Sequence, residues 1–230
     1  MSGLNGKIRS AIQHFRDTLP RELVELVEQG AGEISALDIV ENALHVGAVA
    51  PGFELPAYGG GMCSLEGYLA DGPLVLTFYR GIWCPYCNLQ LKEYDERLRE
   101  ITDHGAALVA VTGEKPNAVD MLASAGVPED VIAGAVTSVG FDVLHDANNT
   151  LARQFGLVFE LPESHQTVLR QIGVDVGMLT GQSSYMFADP ATYVIAQDGK
   201  VFRAFVPNNY RKRTEVDAVK KALHDLMANR

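Results

Sequence analysis

Cysteine is scarce in this 230-residue chain, which has three: Cys63, Cys84 and Cys87. So sparse and odd a set does not make the disulfide scaffold of a small secreted domain. Positive charge is also in short supply. Nineteen Lys and Arg face 29 Asp and Glu, a formal charge of −10. That balance argues against nucleic acid and against an anionic membrane surface as partners, since both need a basic footprint. No apolar run approaches the ~18 residues of a membrane-spanning helix. The opening MSGLNGKIRSAIQHFRDTL is amphipathic and lacks the apolar core of a secretory signal. Repeats and low-complexity tracts are missing too. The expected setting is therefore a reducing cytoplasm, where a close cysteine pair reads as redox or metal chemistry.

What is present suffices for one large domain with an appendage. Hydrophobic residues make up 47% of the chain and charged residues 21%, as in ordinary globular proteins. Residues 1–45 predict a helical extension. Leu4, Ile8, Ala11, Ile12 and Phe15 fall on one helical face. Pro20 restarts the pattern through Leu23, Val24, Leu26 and Val27, and Gly30 is expected to stop it. A third short helix is expected from Ala36 to Leu44. The extension carries no evident chemistry. It is expected to pack on the main domain, residues 46–230, or on a second subunit in a homodimer.

The main domain opens on a punctuated stretch containing Gly47, Pro51, Gly52 and Pro56. Ser64 is a candidate N-cap for a short helix ending near Asp71-Gly72. Leu74 to Tyr79 is a continuous apolar, β-rich run, the pattern of a strand buried on both faces. A helix from Pro85 to about Thr102 follows, with Leu91, Tyr94, Leu98 and Ile101 stepping by three and four. Ala106 to Val111 is a second buried strand, so the three elements form a right-handed parallel βαβ unit. Residues 113–190 read less clearly. Helices are expected over Asn117–Ala125 and Asn148–Phe155, with a short strand at Phe141–Leu144 and loops and short helices from Leu161 to Asp189. Near the end, Thr192–Ala196 and Val201–Val206 flank the turn Asp198-Gly199 as a hairpin, and a last helix runs from Lys212 to Ala228. The fold class is α/β, a central mixed sheet flanked by helices, with the N-terminal helical extension.

The chemistry concentrates in Phe78-Tyr79-Arg80-Gly81-Ile82-Trp83-Cys84-Pro85-Tyr86-Cys87, which leaves a buried strand and starts a helix. Cys84 falls near the N-cap and Pro85 at the first helical position, where proline is tolerated. Cys87, three residues on, lies on the same side of the first turn. Free amide donors and partial positive charge at a helix N-terminus stabilise a thiolate, the nucleophilic form of cysteine. The spacing lets the second thiol attack the first once that is oxidised or captured. Arg80, in the turn just before, is a candidate source of positive charge beside Cys84; the alternative reading is an ion pair with a surface acid. Two bland alternatives remain: a buried pair packing as small hydrophobes, and a zinc site. The latter usually wants four ligands, and Cys63, His104, His145 and His165 show no matching spacing.

These residues resemble a known family. The βαβ–ββα order with Trp83-Cys84-Pro85-Tyr86-Cys87 resembles the thioredoxin fold, in which a cis proline before the penultimate strand faces the cysteines; Pro190 matches that position. More specifically, residues 46–228 look like the peroxiredoxin-like proteins of the alkyl hydroperoxide reductase/thiol-specific antioxidant family. Gly47-x-x-Ala50-Pro51-x-Phe53-x-Leu55 resembles that family's first strand. Leu144-His145-Asp146 and the helix ending at Phe155-Gly156-Leu157 resemble its middle insertion. The family's usual proline and threonine or serine before the reactive cysteine are replaced by Arg80-Gly81-Ile82-Trp83. A second family arginine is missing, and Asp189-Pro190-Ala191 stands in its place.

The resemblance implies a thiol-dependent antioxidant enzyme without a cofactor or metal. Cys84 would reduce a hydroperoxide and then form an internal disulfide with Cys87, which an external thioredoxin- or glutathione-type thiol reduces. The alternative implied by Cys-Pro-Tyr-Cys is a thioredoxin- or glutaredoxin-like disulfide reductase. A redox sensor acting through the N-terminal helices is a third. In both enzyme readings, Cys84, Cys87 and Arg80 are the catalytic set, and Trp83, Pro190 and Ala191 line the substrate side. Pro190 shapes the wall opposite the sulfur and leaves neighbouring backbone free for a substrate strand. Cys63 is expected to be a buried structural thiol, and Arg211-Lys212-Arg213 a solvated helix start.

Overall fold

The computed structural model describes residues 3–127, 129–132 and 134–229. In chain order, helices α1 (Leu4–Thr18), α2 (Arg21–Ser35) and α3 (Ile39–Asn42) precede a small hairpin of β1 (Glu54–Pro56) and β2 (Met62–Ser64). Helix α4 (Leu65–Asp71) starts on Ser64, whose hydroxyl accepts from the Gly67 N–H at 3.1 Å. Then come β3 (Leu74–Phe78), α5 (Pro85–Glu96), α6 (Arg99–Thr102), β4 (Ala107–Thr112), α7 (Ala118–Ser124), α8 (Glu129–Ile132) and β5 (Asp142–His145). The remainder is α9 (Thr150–Gln154), β6 (Val158–Glu160), α10 (Glu163–Gln171), α11 (Val176–Thr180), β7 (Met186–Ala188), β8 (Ala191–Ile195), β9 (Val201–Phe205) and α12 (Val216–Ala228).

The central sheet has the order β5-β4-β3-β8-β9. The runs 74–78 and 107–112 are apolar without alternation because helices cover both faces of their strands. They pair in parallel, Leu76 opposite Val109, and β4 pairs in parallel with β5. On the other side β8 lies antiparallel to β3, Leu76 opposite Tyr193, and β9 continues the hairpin. This is the mixed thioredoxin-like α/β sheet that the sequence predicts.

Alternation of side chains along each strand divides the core in two. On one face Leu74, Leu76, Phe78, Val109, Val111, Tyr193 and Ile195 pack with Leu151 and Phe155. Phe155 sits 4.9 Å, centroid to centroid, from both Phe78 and Tyr193. The opposite face carries Val75, Tyr79, Leu108, Ala110 and Val194 against α5 and α12. Leu4 and Ile8 of α1 and Ile34 of α2 join that second cluster, so the N-terminal helices pack on the main domain.

Several local expectations are corrected. Gly30 does not stop α2, which runs through it to Ser35. A Cβ there would meet Ser164 Oγ at 2.6 Å and His165 Nδ1 at 2.7 Å, so this glycine marks a close crossing of α2 and α10. The helix expected over 85–102 divides at Arg97, whose φ/ψ of −114°/18° leaves the helical region. The last helix begins at Val216, not Lys212. Strand β7 lies where loops and short helices are expected, paired with β6. None of the described residues has a cis peptide bond, so the Asp189–Pro190 bond is trans. Two buried residues, Asp189 and Pro190, link β7 to β8 there, and the Asp189 N–H is held by the Leu157 carbonyl at 2.8 Å. No described helix is long and apolar enough to cross a membrane.

Candidate active site

Strand β3 delivers the chain to a turn over Tyr79–Trp83 that ends on Cys84, the N-cap of α5. The turn requires glycine at 81. Its φ is +139°, and a Cβ would strike Trp83 Nε1 and Glu114 Oε1 at 2.6 and 2.7 Å. The Ile82 N–H donates to Glu114 Oε2 at 2.8 Å, and Asn88 Nδ2 donates to the Ile82 carbonyl at 2.6 Å. The Cys84 carbonyl accepts from the N–H groups of Cys87 and Asn88 at 3.0 and 3.2 Å, closing the first helical turn. Both thiols are free and buried.

The decisive group comes from far along the chain. Arg213 Nη2 stands 3.0 Å from Cys87 Sγ and 3.8 Å from Cys84 Sγ. The Arg80 N–H donates to Cys87 Sγ at 3.5 Å. Burial alone would push the Cys84 thiol up. A hydrogen bond from Cys87 and the charges of Arg80 and Arg213 outweigh it and hold Cys84 well below the ordinary thiol range. Burial, with the hydrogen bond and charge of Cys84, pushes Cys87 up. Arg213 is nearer Cys87, so the guanidinium does not by itself select a sulfur. The N-cap position and the Cys87 hydrogen bond do, placing the thiolate on Cys84 and the proton on Cys87.

Arg80 makes no surface ion pair. It is buried, its guanidinium carbon 4.6 Å from the Trp83 ring and 4.7 Å from the Tyr210 ring. Tyr210 in turn contacts His165 Nε2 at 3.2 Å, and burial with the charges of Arg80 and Arg211 pushes His165 down to about 3, so the ring is neutral. Trp83 is half-buried, 5.0 Å from Phe187. Pro190 and Ala191 are both buried. The backbone around them is not free for a substrate strand. The Asp189 N–H donates to the Leu157 carbonyl at 2.8 Å, and the Ala191 carbonyl accepts from Thr77 Oγ1 at 3.3 Å. The β6–β7 pair runs directly into β8 and ties this stretch down.

Arg211-Lys212-Arg213 is not a solvated helix start. Only Lys212 is exposed; Arg213 is buried on the sulfurs, and Arg211 Nη1 donates to Glu28 Oε2 of α2 at 2.9 Å. Two buried carboxyls complete the site. Burial pushes Asp189 up to about 7 against the opposing pull of Arg213 and Arg80. Burial likewise pushes Glu114 up to about 8, the Ile82 N–H opposing it. Neither Asp189 oxygen, nor Glu114 Oε1, has a hydrogen-bond partner among the described residues. Glu114 lies two residues after the buried strand 107–112, and Asp189 two residues before β8. Those positions beside legible strands were the available signal. Arg213 offered none beyond its basic neighbours. Cys63 is only half-buried on β2, opposite Leu55. Among the described residues no three His, Cys, Asp or Glu side chains gather as a metal set.

Residues 46–204 match the model of the AhpC/TSA family. Comparison with curated protein sequences gives no significant match. Among solved structures, the chain is similar to peroxidoxin BcpB from Mycobacterium tuberculosis, at 24% identity and a TM-score of 0.55 over 81% of this chain and 99% of that one. It is also similar to the reduced 2-Cys peroxiredoxin of Plasmodium vivax, at 16% identity and a TM-score of 0.60 over 81% and 83%. Mycobacterium tuberculosis AhpC gives 14% and 0.57 over 81% and 95%. At these identities the likeness is one of fold. Arg213 lies outside the stretch that the family model matches.

Proposed function

Because the chain belongs to the AhpC/TSA family and is accordingly a thiol-dependent peroxidase, we propose that Cys84 is the sulfur that attacks the peroxide and Cys87 the thiol that resolves it. The observation that carries this reading is the Arg213 guanidinium, 3.0 and 3.8 Å from the two sulfurs in a buried site. A cation this close to a sulfur, shielded from water, favours the thiolate far more than it would in solvent.

The Cys84 thiolate attacks one oxygen of the hydroperoxide. An S–O bond forms as the O–O bond breaks, the sulfur is oxidised to a sulfenic acid, and the departing hydroxide or alkoxide takes a proton. The buried carboxyls of Asp189 and Glu114, pushed up by burial to about 7 and about 8, serve as proton reserves for the site. Cys87 then loses its proton and attacks the Cys84 sulfur. The S–S bond forms, the S–O bond breaks, and hydroxide leaves as water. A thioredoxin- or glutathione-type thiol supplies the two electrons that reopen the disulfide, once the first turn of α5 moves to admit it. Arg80 adds its charge behind Cys84; Trp83, Pro190 and Ala191 wall the site. Burial of both sulfurs favours a small hydroperoxide over a bulky protein disulfide as oxidant. The chemistry suits a reducing cytoplasm.

Mixing the reduced protein with hydrogen peroxide in a stopped-flow instrument tests the reading. Thiol loss is expected to be orders of magnitude faster than for free cysteine and to vanish in Cys84→Ser. In Cys87→Ser it is expected to persist but to stop at the sulfenic acid. A rate equal to that of free cysteine would overturn the proposal.

A further inference from the structure

We propose that Asn5, on the first turn of α1, is a positioning residue that holds Arg213 against the thiol pair. The N-terminal helix is then a working part of the active site. The inference rests on the reading of Arg213 given above.

Arg213 belongs to a stretch between β9 and α12 with no ladder or helix of its own. Something else must fix its backbone if the guanidinium is to stay within hydrogen-bond reach of sulfur. Asn5 supplies it. Its Oδ1 accepts from the Arg213 N–H at 3.0 Å, and its Nδ2 donates to the Arg213 carbonyl at 2.8 Å. One side-chain amide thus grips both polar groups of the residue, as a neighbouring strand would. The grip is itself held. Glu215 Oε1 accepts from Asn5 Nδ2 and from the Asn5 N–H, both at 2.8 Å, and Glu215 Oε2 accepts from the Leu4 N–H at 2.8 Å. That carboxylate thereby caps α1, whose first N–H groups otherwise lack partners.

The same helix is registered on the cysteine helix. Lys7 pairs with Glu93 of α5 at 2.5 Å, and Leu4 and Ile8 are buried in the cluster that contains both cysteines. Helix α1 therefore fixes the sulfurs and their cation relative to one another. Other ties on the segment act elsewhere. Arg211 Nη1 and Nη2 donate to Glu28 Oε2 and the Val27 carbonyl of α2 at 2.9 and 3.2 Å, Tyr94 Oη donates to the Thr214 carbonyl at 3.0 Å, and Arg213 Nη1 bonds carbonyls of its own segment, Tyr210 and Lys212. None of these holds the Arg213 N–H or carbonyl. Asn5 and Arg213 both lie outside the stretch matched by the family model.

The test titrates the thiolate by its ultraviolet absorbance, alongside peroxide rates against pH. The groups facing the pair, namely Arg80, Arg213, Asp189, Glu114, Tyr79, Tyr86 and Tyr210, all remain in Asn5→Ala. That variant is expected to raise the apparent thiol pKa by roughly one unit, the low end of what a displaced neighbouring cation does. Its peroxide rate should fall about tenfold below the new pKa and recover well above it. Asn5→Ser, whose one hydroxyl satisfies only part of the grip, should shift less and carries the test if the alanine variant does not fold. Arg213→Met sets the full shift, and Leu151→Ala, which loosens the opposite face of the sheet and leaves α1 alone, should lower stability and leave the pKa in place. No shift in Arg213→Met would sink the electrostatic reading of the site. A shift there with none in the Asn5 variants, or an equal shift in Leu151→Ala, would overturn the role of Asn5.

Discussion

The two faces of the central sheet are built from the same strands and do opposite things. One is dry: Phe78, Phe155 and Tyr193 interlock among aliphatic side chains, with ring centroids 4.9–6.2 Å apart. The other buries Arg80, Arg213, Glu114, Asp189 and Gln90 beside two thiols, and each of those five polar side chains keeps at least one atom without a protein partner. Unsatisfied buried polar atoms cost stability. The comparison teaches that the dry face offsets what the reactive face gives up. On the dry side, among the described residues, the Tyr193 hydroxyl is likewise orphaned, and burial and then the charge of Asp189 push its pKa up.

Phe78→Ala should break the contrast most. Truncating a fully buried phenylalanine costs about 3–5 kcal/mol, read as a fall in the urea midpoint. The thiol titration of the folded fraction is expected not to move. A shifted titration would mean the faces are coupled.

Asp189→Asn attacks the other face and changes sign with pH. The folded carboxyl titrates near 7, above its unfolded value of 3.8, so the native state holds its proton through that window while the unfolded state releases it. The contribution to stability is fully present below about 4 and is lost as pH rises through about 7. Cys84, held low in the folded state, acts in the opposite direction. The useful quantity is therefore the variant minus the parent. From pH 5 to pH 8 Asp189→Asn should gain roughly 2–3 kcal/mol on the parent, measured by urea unfolding at both pH values. A constant difference would refute the burial of that carboxyl.

Gly30→Ala is expected to destabilise by about 1–3 kcal/mol, the ordinary cost of overpacking, although alanine is the better helix former. The new methyl must push α2 off α10, and thermal unfolding checks it. The smallest effect belongs to Cys63→Ser. Peroxide consumption should be unchanged, and a loss of more than a factor of two would give that third thiol a part in the cycle.

Legibility from the sequence followed the range of the interaction. The strands at 74–78 and 107–112, the Ser64 cap and the placement of Cys84 and Cys87 on a helix start are set by neighbours within a few residues, and periodicity reports them. The 210–215 segment is not local. Arg211, Lys212 and Arg213 look alike as letters, and only the fold distinguishes one that meets Glu28, one that meets water and one that meets sulfur. Gly30 failed for the same reason: its helix partner, α10, lies more than 130 residues on. Glu114 and Asp189 carried a weak positional sign, an acid within two residues of a legible buried strand, that propensity rules do not weigh.

The capping of α1 by Glu215 has a consequence in time. The cysteines leave the ribosome well before residue 213 and thus exist in the growing chain without their cation. Residues 4 and 5, made long before, lack their partners until residues 213 and 215 appear. Until then the growing chain carries two thiols without their guanidinium. Their reactivity arrives with residues 213–215, when α1 clasps that segment, so a polypeptide still short of it is spared oxidation at sulfurs that the folded protein buries beside a cation.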